Sequence, residues 1–306
     1  WRKLLYSIPV ILGVTLVTFT LFNLVGGDPA LQYAGKNANA EIIAKLHEEL
    51  GLNRPLYAQY FFFLKQTVTF QWGESWANHQ SINSMIAEGL GPSLSLTLPA
   101  FFITVVLSVF FALLSGIFRN RWPDHLIHFV CLSLMSVSFL VYIIFFQKTL
   151  AFDFNLFPVY GWDPSLVWRW QFVILPWLIY IAVSMGPKIL LFRTAILDEA
   201  HQDYVRTARS KGLSLFTIYR KHILRNALIP ILTLTLAQMP SLITGSLLLE
   251  TFFGVPGLGN MLVKAIYNSD FPVIKAMTVI GSLAYIFFNL LNDLLYFYFE
   301  PRMSLK

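Results

Sequence analysis

The sequence predicts an all-α membrane protein, and three observations lead to that fold class. Of its 306 residues, 56% are hydrophobic and only 12% are charged, whereas a soluble domain usually has roughly 25% charged residues. The mean hydropathy of the chain is +0.62. The apolar residues also occur in runs of about 20, the length of a helix that crosses the hydrocarbon core of a bilayer. Polar side chains are therefore too few to cover a soluble globule.

Six apolar runs predict six transmembrane helices. The first run could also be a secretory signal, but it is longer than such a segment, and the turn that follows it, Gly26-Gly27-Asp28-Pro29, is a poor cleavage site. We therefore expect a retained helix there. The predicted spans are Leu4–Val25, Ser93–Phe118, Leu126–Gln147, Phe172–Leu191, Ala227–Phe252 and Val273–Phe299.

The basic residues predict how these spans are oriented. If the N-terminus lies inside, fourteen of the 22 Lys and Arg residues fall in inner segments or near the inner end of a span, and the other eight in outer segments or near the outer end of a span. Inner loops of membrane proteins are enriched in Lys and Arg, so we expect both termini in the cytoplasm. The same rule accounts for the net charge of +6, which therefore does not indicate nucleic acid binding. Cys131 is the only cysteine, which excludes an intramolecular disulfide.

Residues 26–92, between the first two spans, are too many for a simple turn and predict an external helical insertion. Asn39 is a good N-cap for a first helix with apolar residues at helical spacing, and Pro55 prevents its continuation. A second amphipathic helix is predicted over Leu56–Phe70. Its apolar face holds Tyr57, Tyr60, Phe61 and Leu64. Such helices could lie on the membrane surface or cover the mouth of the bundle.

The sequence lacks the motifs of common catalytic and metal-binding sites. It contains no G-x-x-x-x-G-K-[ST] phosphate loop, no H-E-x-x-H pair and no G-x-S-x-G turn around a nucleophile. Its six histidines are scattered, without metal-ligand spacing or adjacent carboxylates. We therefore expect no catalytic residue and no metal site in this chain. An intramembrane enzyme or a membrane-bound scaffold has no positive feature in its favour.

A few polar residues in the predicted spans are candidates for a solute path. Carboxylates close to lipid are costly and normally face the interior of a bundle or water. Glu250, near the outer end of the fifth span, is equally compatible with the outer mouth of a solute path and with a structural hydrogen bond between helices. In the sixth span, Asn289 is a second candidate for the path, whereas a structural role is favoured for Asp293.

The most informative segment is a charged loop, residues 193–226, between the fourth and fifth spans. A helix is predicted over Leu197–Lys211, because acidic residues come early and basic residues late, which suits the helix dipole. Gly212 can end this helix in the left-handed conformation, and Ser214 can cap a second one. Because a bilayer excludes such charge, the loop must lie in water. Ala208 and Gly212 leave a small, smooth patch that could dock into a partner. The cations beside it are Arg206, Arg209 and Lys211.

The charged loop resembles the cytoplasmic EAA loop of ABC importer permeases. Arg206-Thr207-Ala208 stands for Glu-Ala-Ala, Gly212 follows at the matching distance, and the run from Arg206 to Leu213 is similar to the variant of oligopeptide, dipeptide and nickel permeases. Further segments resemble the first of the two permease subunits of that group. They are Gly27-Asp28-Pro29, Leu50–Leu56, Gln59-Tyr60, Arg225–Pro230 and Gly245–Gly259.

Two segments depart from the pattern of that group. Ser136-Val-Ser-Phe139 in the third span lacks the expected proline, so the bend expected of that helix has no proline to produce it. Leu215-Phe-Thr-Ile-Tyr219, which follows Gly212, is less charged than usual, and this could alter the fit to a partner.

The resemblance implies that residues 1–306 form a single permease domain of an ATP-driven importer in the bacterial inner membrane. The implied partners are lipid, a homologous second permease, two cytoplasmic ATPase subunits and an external substrate-binding protein. ATP and Mg would be bound by the ATPase subunits, and this chain would hold no cofactor. The solute would be a peptide or a related small molecule. The residues expected to contact the ATPases are Tyr204, Arg206, Ala208, Arg209, Lys211 and Gly212.

An ion-coupled secondary transporter is the main alternative. Such a carrier has its own coupling-ion site, usually on broken helices with carboxylates at mid-membrane. The interiors of the predicted spans offer little of that kind, so ATP-driven import is preferred.

Overall fold

The computed structural model describes residues 2–25, 30–31, 39–49, 52–165, 168–244 and 246–299. The predicted turn Gly26–Pro29 lies outside these ranges, as do Leu50, Gly51 and Gly245. The regular secondary structure of the described residues is helical apart from a single β-bridge, which confirms the predicted all-α class. The helices are α1 (Arg2–Val25), α2 (Ala40–Glu49), α3 (Leu56–Thr69), α4 (Ile82–Ile117), α5 (Trp122–Met135), α6 (Phe139–Phe146), α7 (Arg169–Ala200), α8 (Asp203–Ser210), α9 (Leu215–Ile218), α10 (Leu224–Leu236), α11 (Pro240–Thr244), α12 (Leu247–Phe253), α13 (Leu258–Tyr267) and α14 (Phe271–Phe299). Two π-helical turns follow α6 and α9, over Gln147–Asp153 and Tyr219–Ile223.

The chain divides into two compact units, each with its own buried apolar core. The first comprises the described residues of Trp1–Ser93, Ile243–Thr251 and Pro256–Leu290, and the second those of Leu94–Leu242, Phe252–Val255 and Leu291–Lys306. The core of the first unit includes Phe19, Phe63, Ile82, Leu258 and Met277. The core of the second unit includes Ala112, Phe192, Ile196, Val205, Ile218 and Ile231. The charged loop therefore shares a core with α4, α7 and α10.

Helix α4 has a buried face of small and hydroxyl residues that runs from Ser93 to Ser115. Small residues let neighbouring helices approach closely, and hydroxyls can bond polar groups that lipid cannot satisfy. For example, Thr97 Oγ1 donates to the Leu242 carbonyl at 3.4 Å. The residues of this face recur every three or four positions, as one side of a helix requires. They are Ser93, Thr97, Ala100, Thr104, Ser108, Ala112 and Ser115.

Helix α4 also starts earlier than predicted. The predicted span began at Ser93, just after Gly91-Pro92, but the helix begins at Ile82. Gly89 lies inside this helix and allows close packing. A Cβ at Gly89 would lie 3.0 Å from Leu258 Cδ2 and 3.2 Å from its backbone nitrogen. The absence of a side chain at Gly89 therefore permits the close approach of α13.

The number of membrane spans can be compared with the prediction for the described residues. Three helices are long and apolar enough to cross a bilayer: Ile82–Ile117, Arg169–Ala200 and Phe271–Leu295. The number rises to five if two broken pairs each count as one span, namely Trp122–Met135 with Phe139–Asp153 and Leu215–Leu236 with Pro240–Phe253. The apolar stretch found in α1, Ile8–Asn23, is shorter. Six spans therefore stay a prediction, and the third and fifth predicted spans are broken helices rather than continuous ones.

The third predicted span bends without a proline. The axes of α5 and of the helical segment that begins with α6 differ by 89°. Ser138 is extended (φ −62°, ψ 143°), which interrupts the helical hydrogen-bond ladder. The Ser136 hydroxyl donates to the Leu132 carbonyl at 2.7 Å, and the Tyr142 hydroxyl donates to the Leu134 carbonyl at 3.1 Å. The Ser136 hydroxyl shares the Leu132 carbonyl with the Ser136 N–H, and the Tyr142 hydroxyl bonds a carbonyl in the last turn of α5. No proline is required for the bend.

The predicted second helix of the insertion is present as α3, but it packs through a different face. The Tyr60 and Phe63 rings lie 5.4 and 6.3 Å from the Phe19 ring of α1. Tyr57 and Phe61, predicted to share a face with Tyr60, are exposed instead. Successive helical residues are 100° apart, so aromatic spacing alone misplaced the packed face by about a quarter of a turn.

Candidate functional site

The charged loop folds into two short helices around a turn at Gly212. Helix α7 continues to Ala200, α8 follows almost at once, and α9 begins after the turn. The single helix predicted over Leu197–Lys211 is wrong, because the chain breaks at His201-Gln202. Gln202 is extended (φ −70°, ψ 153°) and becomes the N-cap of α8. Helix α8 is therefore a separate element rather than the end of α7.

Gly212 ends α8 as predicted. Its φ is +74°, in the left-handed region, which costs a residue with a Cβ about 1–2 kcal/mol. The Gly212 N–H donates to the Arg209 carbonyl at 2.9 Å and the Leu213 N–H to the Ala208 carbonyl at 3.4 Å, the paired bonds of a Schellman motif. Ser214 caps α9, also as predicted, because its hydroxyl accepts a backbone N–H of the first turn at 3.3 Å.

One face of α8 packs into the core of the second unit. Val205 and Ala208 are 1% and 6% exposed and belong to the same buried cluster as Phe192 and Ile196 of α7. Ala208 was predicted to form a small, smooth docking patch with Gly212, but its side chain faces the core of the chain, so its contact with a partner stays a prediction. Residues three apart lie on the same side of a helix, so Ala208 follows Val205 into the core. Gly212, in contrast, is exposed.

The opposite face of α8 is cationic and exposed. Its exposed residues include Arg206, Arg209, Lys211 and Gly212, all of them predicted contact residues. Arg206 Nη1 lies 3.4 Å from Asp203 Oδ1, but an ion pair between exposed side chains contributes at most ~1 kcal/mol. Leu215 and Phe216 are exposed as well. The low charge of residues 215–219 in the sequence indicated this apolar surface, but Leu215 and Phe216 were not among the predicted contact residues.

Tyr204 ties α8 to the last turn of α7. Its hydroxyl donates to Glu199 Oε2 at 2.7 Å. Burial and the neighbouring Glu199 carboxylate raise the pKa of Tyr204 to about 12, so the hydroxyl remains a donor at physiological pH. This predicted contact residue is therefore already engaged within its own chain.

A buried ion pair joins α4, α5 and α7 next to the charged loop. Arg193 Nη2 lies 2.8 Å from Asp124 Oδ2, and Arg193 Nε donates to Asp124 Oδ1 at 3.0 Å. The Ser115 hydroxyl donates to Asp124 and accepts from Arg193 Nε at 2.7 Å. We call Ser115, Asp124 and Arg193 the Asp124 cluster. Sequence reasoning missed it, although a lone carboxylate in the first turn before an apolar run was a usable signal.

Glu250 is fully buried and accepts hydrogen bonds at both carboxylate oxygens. Ser93 Oγ donates to Glu250 Oε1 at 2.7 Å, and the Ser246 N–H donates to the same oxygen at 3.1 Å. The Asn260 N–H donates to Oε2 at 3.0 Å. We call Ser93, Ser246, Glu250 and Asn260 the Glu250 cluster. The exposed fraction of Glu250 is 0%, so the carboxylate is satisfied entirely by protein groups.

Two glycines of the loop after Glu250 leave space for this cluster. A Cβ at Gly257 would collide with Glu250 Oε2 and Ser93 Oγ, and one at Gly259 would lie 2.9 Å from Glu250 Oε2. The Leu258 N–H donates to Ser93 Oγ at 2.7 Å. The loop therefore folds around the carboxylate. Glu250 and the Ser93 hydroxyl accept hydrogen bonds from backbone N–H groups that have no partner within a helix.

The burial of Glu250 and its hydrogen bonds favour a structural role between helices over a place at the mouth of a solute path. Asn289 Nδ2 donates to the Tyr285 carbonyl of its own helix at 3.0 Å. Within the part of the chain that the structure describes, no hydrogen bond connects Asn289 to Glu250. The participation of either residue in a solute path stays a prediction.

Comparison with known proteins gives two family matches that together cover nearly the whole chain. Residues 105–305 match the binding-protein-dependent transport system inner membrane component, and residues 1–97 match the N-terminal part of such membrane components. The chain is also similar to the glutathione transport system permease protein GsiC. The identity is 33% over 306 residues for the proteins of Salmonella typhimurium strain LT2 and Escherichia coli strain K12, and 32% over 305 residues for that of Shigella flexneri serotype 5b. Each alignment covers 100% of this chain and 98% of the relative.

Proposed function

The chain belongs to the family of binding-protein-dependent transport system inner membrane components, and on that premise we propose how it is coupled to its partners and what it carries. It is a permease subunit of an ABC importer, a multi-pass protein of the inner membrane and not an enzyme. The family does not favour the ion-coupled alternative, because its members depend on ATPase activity that resides in separate subunits.

Members of this family act with another permease, an ATPase and a binding protein. For this chain we propose a homologous second permease that encloses the solute path with it, two cytoplasmic ATPase subunits and an external substrate-binding protein. The ATPase subunits hold ATP and Mg, and this chain holds no cofactor. Both termini and residues 193–226 lie in the cytoplasm. The support for this orientation is the excess of Lys and Arg in the same set of segments.

Helix α8 transmits the closure of the ATPases to the spans. The observation that supports this proposal is that the helix has two different faces. Val205 and Ala208 are buried among residues of the spans, whereas Arg206 and Arg209 are exposed. Such a helix moves with the bundle when it is pushed, whereas a loop without core contacts would absorb the movement. Tyr204 and the Schellman turn fix its two ends, and the Asp124 cluster keeps α4, α5 and α7 together beneath it.

The solute is a short peptide or a peptide-like molecule. The similar GsiC proteins are named for glutathione transport, and glutathione is itself a modified tripeptide, which supports this class. Glu250 and Asn289 are the polar residues proposed for the path. Asn289 is only partly buried, so it is the more accessible of the two.

A matched pair of glycine substitutions tests the coupling role. Gly212 (φ +74°) and Gly73 (φ +79°) both adopt left-handed conformations, and a Cβ at either position would meet no atom within 4 Å. Val at either site therefore introduces similar local strain, but only Gly212→Val alters the end of α8. In proteoliposomes with all partner subunits, we expect Gly212→Val to lower ATP-driven uptake by about tenfold or more and Gly73→Val to leave it near the wild-type rate. Equal uptake by both variants would contradict the coupling role.

The same proteoliposomes test the solute class. We expect glutathione or short peptides, added with the external binding protein, to stimulate ATP hydrolysis and to accumulate inside. Stimulation by nickel chelates alone would exclude the peptide class. Uphill accumulation by the isolated chain, with no ATPase present, would contradict the whole proposal.

A further inference from the structure

A cleft of about 320 Å³ opens between α8 and the ends of α4 and α7. All of its walls belong to the second unit. Its lining combines apolar residues, among them Ile117, Val205 and Tyr219, with cationic and imidazole side chains that come from three separate parts of the chain. The lining residues are Gly116, Ile117, Arg119, Ala200, His201, Val205, Arg206, Arg209, Leu215 and Tyr219.

The cleft concentrates positive charge and has no carboxylate in its own lining. Three of its lining residues are arginines, Arg119, Arg206 and Arg209, and none is acidic. Arg206 is paired with Asp203, which is 95% exposed and screened by water. The guanidinium of Arg209 has no ion pair among the described residues. This surplus charge calls for an anion from outside the chain.

His201 orients Arg119 at the cleft. His201 Nδ1 lies 2.6 Å from the Leu197 carbonyl, which can only accept, so Nδ1 carries the proton. In the neutral ring Nε2 is then an acceptor, and Arg119 Nη1 donates to it at 2.9 Å. A neutral imidazole thus holds the guanidinium in place without neutralising its charge, and the remaining N–H groups of Arg119 stay available to a ligand.

The apolar floor strengthens the attraction for an anion. A Cβ at Gly116 would lie 3.0 Å from Tyr219 Cε1 and 3.2 Å from Ile196 Cγ2, so Gly116 lets these side chains close the floor. Tyr219 and Val205 are themselves almost fully buried. Charges beside a low-dielectric wall are screened less than charges in open water, and arginine binds a carboxylate through two parallel hydrogen bonds.

We propose that this cleft receives an acidic side chain, Asp or Glu, of a cytoplasmic ATPase subunit. The proposal rests on the coupling role of α8 proposed above. It adds a site that receives a side chain of the ATPase and that includes Arg119 and His201, two residues that were not among the predicted contact residues. An ATPase is favoured over a lipid headgroup for two reasons. Arg206 and Arg209 belong both to the cleft and to the exposed face of α8. In addition, Leu215 at the rim and the neighbouring Phe216 present exposed apolar surface that a protein partner would cover.

Zero-length crosslinking tests the occupant directly. Arg209→Lys keeps the positive charge and supplies an amine. In the assembled complex a water-soluble carbodiimide activates a carboxyl group, the amine attacks it, and a urea leaves, so that an amide with no spacer remains. We expect mass spectrometry to find residue 209 joined to an Asp or Glu of the ATPase. A complex that assembles normally but yields no such crosslink overturns the proposal.

Binding measurements with matched arginine variants give a second test. Arg119→Gln removes a cleft cation, whereas Arg121→Gln removes an exposed cation two residues away that does not line the cleft. In nanodiscs made only of phosphatidylcholine, we expect Arg119→Gln to weaken ATPase binding about tenfold or more, and Arg121→Gln to have little effect. If the difference appears only when phosphatidylglycerol is present, a lipid phosphate occupies the cleft and the proposal fails. If the wild-type chain binds no ATPase at all, it is the coupling role that fails instead.

Discussion

Two buried carboxylates, one in each unit, are held in opposite ways. Asp124 faces the guanidinium of Arg193, whereas Glu250 is held by the Ser93 hydroxyl and backbone N–H groups, with no cation in contact among the described residues. Breaking a buried ion pair leaves an uncompensated charge, but replacing a carboxylate that is bonded to neutral donors leaves only unpaired dipoles. The Asp124 cluster should therefore be the more costly of the two to disturb, and the Glu250 cluster the more dependent on local backbone geometry.

The largest effect is expected from Asp124→Asn. This change leaves the Arg193 guanidinium, whose side chain is 17% exposed, without its counter-ion, so the free energy of unfolding should fall by up to about 3–5 kcal/mol. Thermal unfolding of the purified chain in detergent measures the loss. Asp203→Asn is the control, because it removes an exposed pair whose contribution is at most ~1 kcal/mol.

A double variant shows whether charge is the reason for that loss. Arg193→Gln added to Asp124→Asn removes the unpaired cation, so part of the lost stability should return. A double variant less stable than Asp124→Asn alone would mean that Arg193 acts through its packing rather than through its charge.

Glu250→Gln should have a smaller effect. The new amide keeps one acceptor oxygen but turns an NH₂ group toward backbone donors, either at Ser246 or at Asn260, and an unpaired buried donor costs about 1–3 kcal/mol. The unfolding midpoint and the rate of ATP-driven uptake are to be measured together. Unchanged stability with lost uptake would reverse the comparison and place Glu250 in the solute path.

Gly257→Ala tests whether the Glu250 cluster depends on the local backbone geometry. Its Cβ would enter the space of Glu250 Oε2 and Ser93 Oγ, so we expect a loss of about 1–3 kcal/mol from overpacking. Gly91→Ala is the control, because a Cβ there meets nothing within 4 Å and alanine favours the helix. Equal unfolding midpoints for the two variants would show that the loop can move away from the carboxylate at little cost.

The smallest loss of stability is expected from removal of the Tyr204 hydroxyl, which bonds the Glu199 carboxylate near the surface. Tyr204→Phe removes the hydrogen bond to Glu199 and should lower stability by about 0.5–1.5 kcal/mol. The folded protein raises the pKa of Tyr204 from 10.0 to about 12, so this contribution is complete below pH 10 and is lost as the pH rises through 12. Unfolding midpoints of the two proteins should therefore converge over that interval. A constant difference up to pH 12 would contradict this account.

Local chemistry allowed part of the fold and of the candidate site to be predicted from the sequence. The left-handed turn at Gly212 and the cap at Ser214 depend on residues close in the chain, and both were predicted. The break at Gln202 was missed because nothing nearby in the sequence stops a helix there. The inward direction of Ala208 could have been found, since Val205 and Ala208 have the spacing of one helical face.

Contacts between distant parts of the chain were beyond sequence reasoning. Asp124 meets Arg193 only after three helices have packed together, and no spacing rule links the two positions. Glu250 was recognised as unusual, but its donors come from residues as far apart as Ser93 and Asn260. Gly89 falls outside the predicted span, and its close contact with Leu258 could not be foreseen because the two residues are far apart in the sequence.

The division of α8 into a buried face and an exposed face separates folding from partner choice. Val205 and Ala208 contribute to the buried core of the second unit, whereas exposed charged side chains such as the arginines and lysine on the other side contribute little to stability. Substitutions on that outer surface can accumulate or be engineered without unfolding the subunit. If α8 contacts the ATPases as proposed, a change in a few of these surface charges would alter the choice of ATPase while the buried core of the subunit stays the same.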